Sequence, residues 1–297
     1  MSERSGSTGT GTEAGSFELL DWGLIGSVAV IWGSSFLWIA VALDAFAPGL
    51  VAWLRVLFGA VTLFMFSGAR RRIEPRDRFG IAIVAVAGNA GPALLFALAQ
   101  RDLESAVAGM INSATPVATL VIALALGNRA VGRGHVVGLL LGFAGVIVMA
   151  APDLRGADAP VMGIGLVLLA VVGYALTNNV IVPLQQRYGG LAVVAHAQAL
   201  AAVLLLPFGL VGLRSSKFEG GAFLAVVILG ILGTGLARVL SATLVGRTGP
   251  QRGSVVTYFV PIVAILLGVS VRNETISSIQ IFGLLLVLTG AGLISRR

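Results

Sequence analysis

Apolar runs of about twenty residues, joined by short loops that collect arginines, fill this chain from Trp22 to its end. A helix rising about 1.5 Å per residue needs roughly that length to cross a ~30 Å hydrocarbon core. Inside lipid the backbone must satisfy its own hydrogen bonds, which leaves helices or closed barrels. Barrel strands alternate over about ten residues, whereas these runs are continuous and longer. The fold class expected is therefore an all-α polytopic membrane protein.

Ten spans are expected. The first five are Trp22–Leu43, Pro48–Ser67, Phe79–Gln100, Ser105–Leu126 and His135–Ala151. The second five are Val161–Pro183, Leu191–Leu213, Gly221–Val245, Gly253–Val271 and Ile279–Ser295. Residues 1–16, rich in Ser, Gly and Thr without apolar pattern, read as a disordered N-terminal tail and not as a signal peptide. Residues 17–152 and 153–297 then hold five spans each. Of the 297 residues, 57% are hydrophobic and 11% charged, where a globular chain carries about a quarter charged, so little is left for soluble chemistry.

The two halves echo one another. Pro116 and Pro261, Gly138 and Gly283, and Gly145 and Gly290 are all 145 positions apart, and the match runs from Phe79 onward. A fixed offset of this kind marks an internal duplication. Loop arginines set the orientation: with the N-terminus inside, thirteen of the twenty Lys and Arg residues fall in cytoplasmic segments and five outside. Both termini are then cytoplasmic. Five spans is an odd number, so the second copy lies upside down relative to the first, an architecture known from secondary transporters.

Three segments carry a family resemblance: WGSSFLWIA with PGLVAWLRVLFGA (Trp32 to Ala60), the stretch around Pro116, and GILGTGLARVL with YFVPIVAILLG (Gly230 to Gly268). In order and spacing the chain resembles EamA-type transporters of the drug/metabolite transporter superfamily, over about Trp22 to Arg297. The resemblance implies ten helices in two inverted five-helix repeats in a bacterial inner or plasma membrane. It implies export or exchange of amino acids or related metabolites; nucleotide sugars, lipid precursors and drugs are carried within the same superfamily. Two positions depart from the family pattern: Arg129 stands where a Glu is usual, and Arg238 where an aromatic is common.

All thirteen acidic residues fall in the tail, loops or span edges, so no buried carboxylate is expected as an ion relay. Arg55 and Arg238 lie within spans, each about 10 Å from a span end. With no acidic partner at that depth, both should face a hydrated cavity or backbone carbonyls; facing a cavity, they attract an anionic group such as a substrate carboxylate or phosphate, while Arg55 also suits a bracing role at helix ends. Asn89 in GNAGP and its repeat mate Thr234 in GTG form a symmetric pair where Gly and Pro loosen the helix. Trp32, Tyr174 and Tyr258, with Asn112, Ser113 and Asn178, supply aromatic and amide groups at mid-span depth for an organic solute. Pro116 and Pro261 are expected as a scaffold and hinge pair, and Gly138 with Gly142 as a helix-packing motif.

The chain has no cysteine, and His135 and His196 lack metal-ligand spacing, so no cofactor or metal is expected. His196 reads as an interfacial histidine. The +7 net charge points to anionic headgroups, not to nucleic acid. The partners expected are a small organic solute and the lipid bilayer, with the chain a monomer or weak dimer. A rival class, an intramembrane serine hydrolase using Ser35 and His196, rests only on the weak pattern Gly33-Ser34-Ser35.

Overall fold

The computed structural model describes residues 18–127, 132–152, 158–248 and 255–295, and every regular element among them is helical. In chain order these are α1 Leu19–Leu43, α2 Pro48–Phe64, α3 Pro75–Ala99, α4 Ser105–Ala125 and α5 Arg133–Ala150. They continue as α6 Asp158–Tyr188, α7 Gly190–Ser215, α8 Gly220–Thr248, α9 Val256–Arg272 and α10 Ser278–Ser295. Seven of them, α1 and α3 to α8, are long and apolar enough to cross a membrane, while α2, α9 and α10 are shorter apolar helices. The expected tail at residues 1–16, and the loop positions Arg129 and Arg252, lie outside the described residues.

One boundary moves for a clear reason. The sixth span is expected to stop at Pro183, yet α6 runs through it to Tyr188. Proline removes one backbone donor and crowds the preceding turn. The last turn of α6 is held from outside instead: Leu184 and Tyr188 are buried, and the Tyr188 hydroxyl donates to Asp77 Oδ2 at 2.6 Å. Arg187 pairs with the same carboxylate at 2.8 Å.

Glycines let the helices approach. A Cβ on Gly145 would lie 2.6 Å from the Gly283 carbonyl oxygen, and one on Gly290 would lie 2.5 Å from that of Gly138. The two crossings join α5 to α10 reciprocally, because the residues involved are repeat mates. Without a hydrophobic drive between helices in lipid, such backbone proximity supplies the packing energy. Gly230 and Gly235 of α8 meet Phe58 and Thr62 of α2 in the same way, and Gly33 of α1 meets Val260 and Val263 of α9.

Polar clasps hold the two ends of the bundle. At one end Arg247 closes on Asp21 at 2.7 Å and on Glu18 at 2.8 Å, tying α8 to the start of α1. At the other end Arg272 closes on Asp44 at 2.6 Å. Beside it, Glu274 accepts from the Ser105 amide at 2.9 Å, the Ser105 hydroxyl at 2.6 Å and the Ala106 amide at 2.8 Å. The left-handed Asn273 (φ 54°) makes this reach possible, since it turns the chain so that the Glu274 amide bonds the Gly268 carbonyl at 3.1 Å.

Candidate functional site

Helices α3 and α8 both widen at mid-length into π-turns, at Val86–Ala90 and Leu229–Leu236. The Asn89 amide donates to the Val84 carbonyl at 3.0 Å, and the Thr234 hydroxyl donates to the Leu229 carbonyl at 3.0 Å. Each bond reaches five residues back and fills a carbonyl that the widened turn frees. Both side chains are buried and directed at their own helix. The pair therefore shapes the site, with the one hydroxyl hydrogen of Thr234 and one of the two amide hydrogens of Asn89 committed to the turns. Widened turns of this kind recur at functional positions in helices.

Glycines within these turns bring up α1 and α6. A Cβ on Gly88 would lie 2.7 Å from Thr177 Oγ1, and one on its repeat mate Gly233 would lie 2.7 Å from Ser35 Oγ. Ser35 and Thr177 are thus equivalent, 142 positions apart, and the same spacing pairs Trp32 with Tyr174. The correspondence of the first and sixth helices, faint in the sequence, is set by this contact.

Trp32 and Tyr174 both face arginine. The Arg238 guanidinium lies over the Trp32 ring, its Cζ 5.8 Å from the centroid. Arg55 Nε is enclosed and has no hydrogen-bond partner. The Arg55 and Arg238 guanidinium groups and the Tyr174 hydroxyl sit within electrostatic reach of one another. Among the described residues neither arginine forms an ion pair. Phe96 stacks obliquely on Tyr174 at 6.2 Å and edge-on to Phe36 at 5.5 Å, completing an aromatic wall. Two neighbouring cations in a low-dielectric interior repel, and an anion between them relieves the repulsion.

The matches to known proteins agree with this geometry. The model of the EamA-like transporter family fits residues 22–151 and 161–296, nearly all of the chain. The chain belongs to that family.

Other members and relatives cover it almost end to end. An uncharacterized transporter of Archaeoglobus fulgidus is 23% identical over 93% of this chain and 99% of its own length. A probable amino-acid metabolite efflux pump of Salmonella typhimurium is 25% identical over 89% of this chain and 90% of its own. A solved crystal structure at 20% identity superposes with a TM-score of 0.66 over 93% of this chain and 96% of that one, a likeness of fold. This EamA-like transporter is accordingly an integral, multi-pass membrane protein.

The remaining sequence candidates fall around this centre unevenly. Asn112 of α4 keeps a buried Oδ1 without a partner, whereas the Ser113 hydroxyl is satisfied by the Met110 carbonyl. Asn178 is exposed and donates to Thr119 Oγ1 at 3.2 Å, so its amide serves the α4–α6 contact. Tyr258 is half-buried in the first turn of α9. The two prolines behave differently: α4 breaks at Ser113–Ala114 just before Pro116, while α9 is continuous through Pro261. The Thr115 hydroxyl takes the Asn112 carbonyl at 2.7 Å, the bond that Pro116 cannot make.

Ser34 and Ser35 both donate to the Ile31 carbonyl, and the His196 ring bonds the Ala192 carbonyl on its own helix. No serine–histidine bond joins them, and a nucleophile needs its base within hydrogen-bond reach. Among the described residues no cluster of three metal-ligating side chains occurs. Sequence reasoning overlooked Gln198, fully buried between α2 and α8, whose Nε2 donates to the Val56 carbonyl at 3.3 Å while Oε1 has no partner. It also overlooked Thr177 and Gln100, whose buried polar atoms have no partner either. An amide in the middle of an alanine-rich span, as in AHAQALAA, is a signal that could have found Gln198.

Proposed function

We propose that this EamA-like transporter is a secondary carrier of small organic solutes bearing a carboxylate, amino acids foremost, working as an exporter or exchanger by alternating access. The observation that carries the reading is the Arg55–Arg238 pair, two half-buried cations without a carboxylate partner among the described residues, flanked by Trp32 and Tyr174. A solute carboxylate supplies the missing charge, and the aromatic wall takes its apolar part. Retaining an unpaired charge inside a membrane protein is costly, which is the usual mark of a substrate path.

The same reading takes the chain as ten spans in two inverted five-helix repeats, with both termini cytoplasmic. The matched π-turns, the reciprocal α5–α10 glycine crossings and the twofold match of the family model support it. In this arrangement α3 and α8 are the elements that bend as the repeats rock. The relative named for amino-acid metabolite efflux supports the choice of cargo.

Counterflow in liposomes tests the proposal. Vesicles preloaded with unlabelled amino acids should accumulate labelled amino acid, and Arg238→Ala should abolish this while the protein stays folded in the bilayer. Unchanged counterflow in the variant would remove the arginine from the site. Accumulation of nucleotide sugars or cationic drugs, and of no carboxylate-bearing solute, would replace the cargo.

A further inference from the structure

Arg55 and Arg238 are not repeat mates, since Ala93 stands 145 positions before Arg238. The duplication does not explain two cations at one centre. They also enter it from different levels. The Arg55 carbonyl lies against Gly230 of α8, 3.0 Å from where a Cβ would stand, and Arg238 is eight residues further along that helix. Eight residues rise about 12 Å. Arg238 rests on Trp32, and Tyr174 lies within electrostatic reach of both guanidinium groups.

Most of their nitrogens are open. Both arginines are half-buried, and Nε of Arg55 is the enclosed atom. The two terminal nitrogens of Arg55 and the Arg238 guanidinium stay accessible and make no hydrogen bond among the described residues. No acid stands at their depth. Every acidic residue among those described lies in a loop or in the first turn of a helix.

A guanidinium presents a planar fork of donors that matches the two oxygens of one carboxylate. A solute with a single carboxylate therefore fills one fork and leaves the other cation unpaired beside it. In a low-dielectric interior that is the costly state, and a second carboxylate removes it. The Tyr174–Phe96–Phe36 wall gives an apolar surface to the carbons that join the two carboxylates. A neutral amino acid instead brings an ammonium that no described acid at this depth receives.

We propose that this centre selects solutes with two carboxylates, one on Arg238 and one on the terminal nitrogens of Arg55. Acidic amino acids and short dicarboxylates share that chemistry. The inference rests on the carboxylate reading above and narrows it: neutral amino acids and monocarboxylates are poor cargo.

The test is calorimetric titration of four solutes into the full-length protein in nanodiscs, at about pH 7.5, where their carboxylates are ionised. Monomethyl glutarate keeps the chain of glutarate and loses one charge, and L-glutamine does the same for L-glutamate. Glutarate should bind at least tenfold tighter than its monomethyl ester, and glutamate at least tenfold tighter than glutamine. Where one pair alone shows the preference, that pair names the source of the two carboxylates. Arg55→Gln should cut the preference at least fivefold, with thermal melting as the check on folding. The wild-type comparison needs no variant, so it decides the matter even where Arg55→Gln does not fold.

Preferences below tenfold in both pairs, with binding that Arg238→Ala abolishes, overturn the two-carboxylate inference and leave a carboxylate site standing. A folded Arg55→Gln protein whose preference falls less than fivefold overturns the part given to Arg55. Binding unmoved by Arg238→Ala, or no binding of any of the four solutes, overturns the central reading itself.

Discussion

Asn89 and Thr234 make one hydrogen bond in two copies: each donates at 3.0 Å to a carbonyl five residues back, and donors and acceptors alike are 145 positions apart. The residues differ in kind and the bond does not. An amide and a hydroxyl solve the same local problem, a carbonyl freed by a π-turn inside an apolar helix. What the duplication preserves at this position is a widened turn, held open by whichever side chain can reach it.

Asn89→Leu should leave the Val84 carbonyl unsatisfied in a buried setting, at a cost of about 1–3 kcal/mol. The expected outcome is a lower melting temperature in detergent and faster amide exchange confined to residues 84–91. Asn89→Thr, borrowing the residue of the other repeat, should recover most of the loss. Equal damage from both substitutions would mean that the bond is incidental.

Arg238 keeps its place over Trp32 through the face of a flat cation, which lysine does not reproduce. Arg238→Lys should retain counterflow with affinity lowered about three- to tenfold. Trp32→Leu should cost a similar factor, since such a contact is worth roughly 0.5–2 kcal/mol. Kinetics of labelled amino-acid counterflow at several concentrations separate these from the complete loss expected of Arg238→Ala.

Gly145→Leu tests the α5–α10 crossing, where even a Cβ would meet the Gly283 carbonyl at 2.6 Å. Overpacking of that order costs about 1–3 kcal/mol. The variant should melt earlier and reach the membrane in smaller amounts. Gly165→Leu, at a glycine with open space around its Cβ position, should be neutral in the same assay.

Glu274→Ala removes the carboxylate that holds the start of α4. Hydrogen bonds to a charged group contribute about 1.5–3 kcal/mol, so the α4 terminus should loosen. The chain contains no cysteine, so Ser105→Cys supplies a single reporter thiol; it gives up the Ser105 hydroxyl bond and leaves the two backbone-amide bonds to Glu274 for the test. A membrane-impermeant thiol reagent should label it at least fivefold faster when Glu274→Ala is also present. Equal rates would show that the clasp does not restrain this end.

The positions of the helices were legible because span length and loop charge are local properties of the chain. Trp22 to Leu43 was read as a span and forms one, beginning three residues earlier at Leu19 where Glu18 and Asp21 build the cap. Arg55 and Arg238 were legible as well, because a charge inside an apolar run is conspicuous wherever it points. Gln100 and Gln198 were not, since an uncharged amide at a helix end or among alanines looks ordinary until its neighbours are known. For Asn178 the sequence shows only a depth that suits a solute site, and the structure adds that its amide also reaches Thr119 on α4.

The sequence by itself determined an all-helical membrane protein with a duplication at an offset of 145 and two unpaired arginines. Only the tertiary structure decided that Trp32 and Tyr174 are counterparts, that Arg238 rests on Trp32, and that Glu274 clasps the other half of the chain. The physical reason is the solvent. In lipid both faces of a helix are apolar, so the pattern that tells core from surface in a soluble chain is missing. Which face meets which neighbour is left to glycine contacts and a few polar reaches across the bundle.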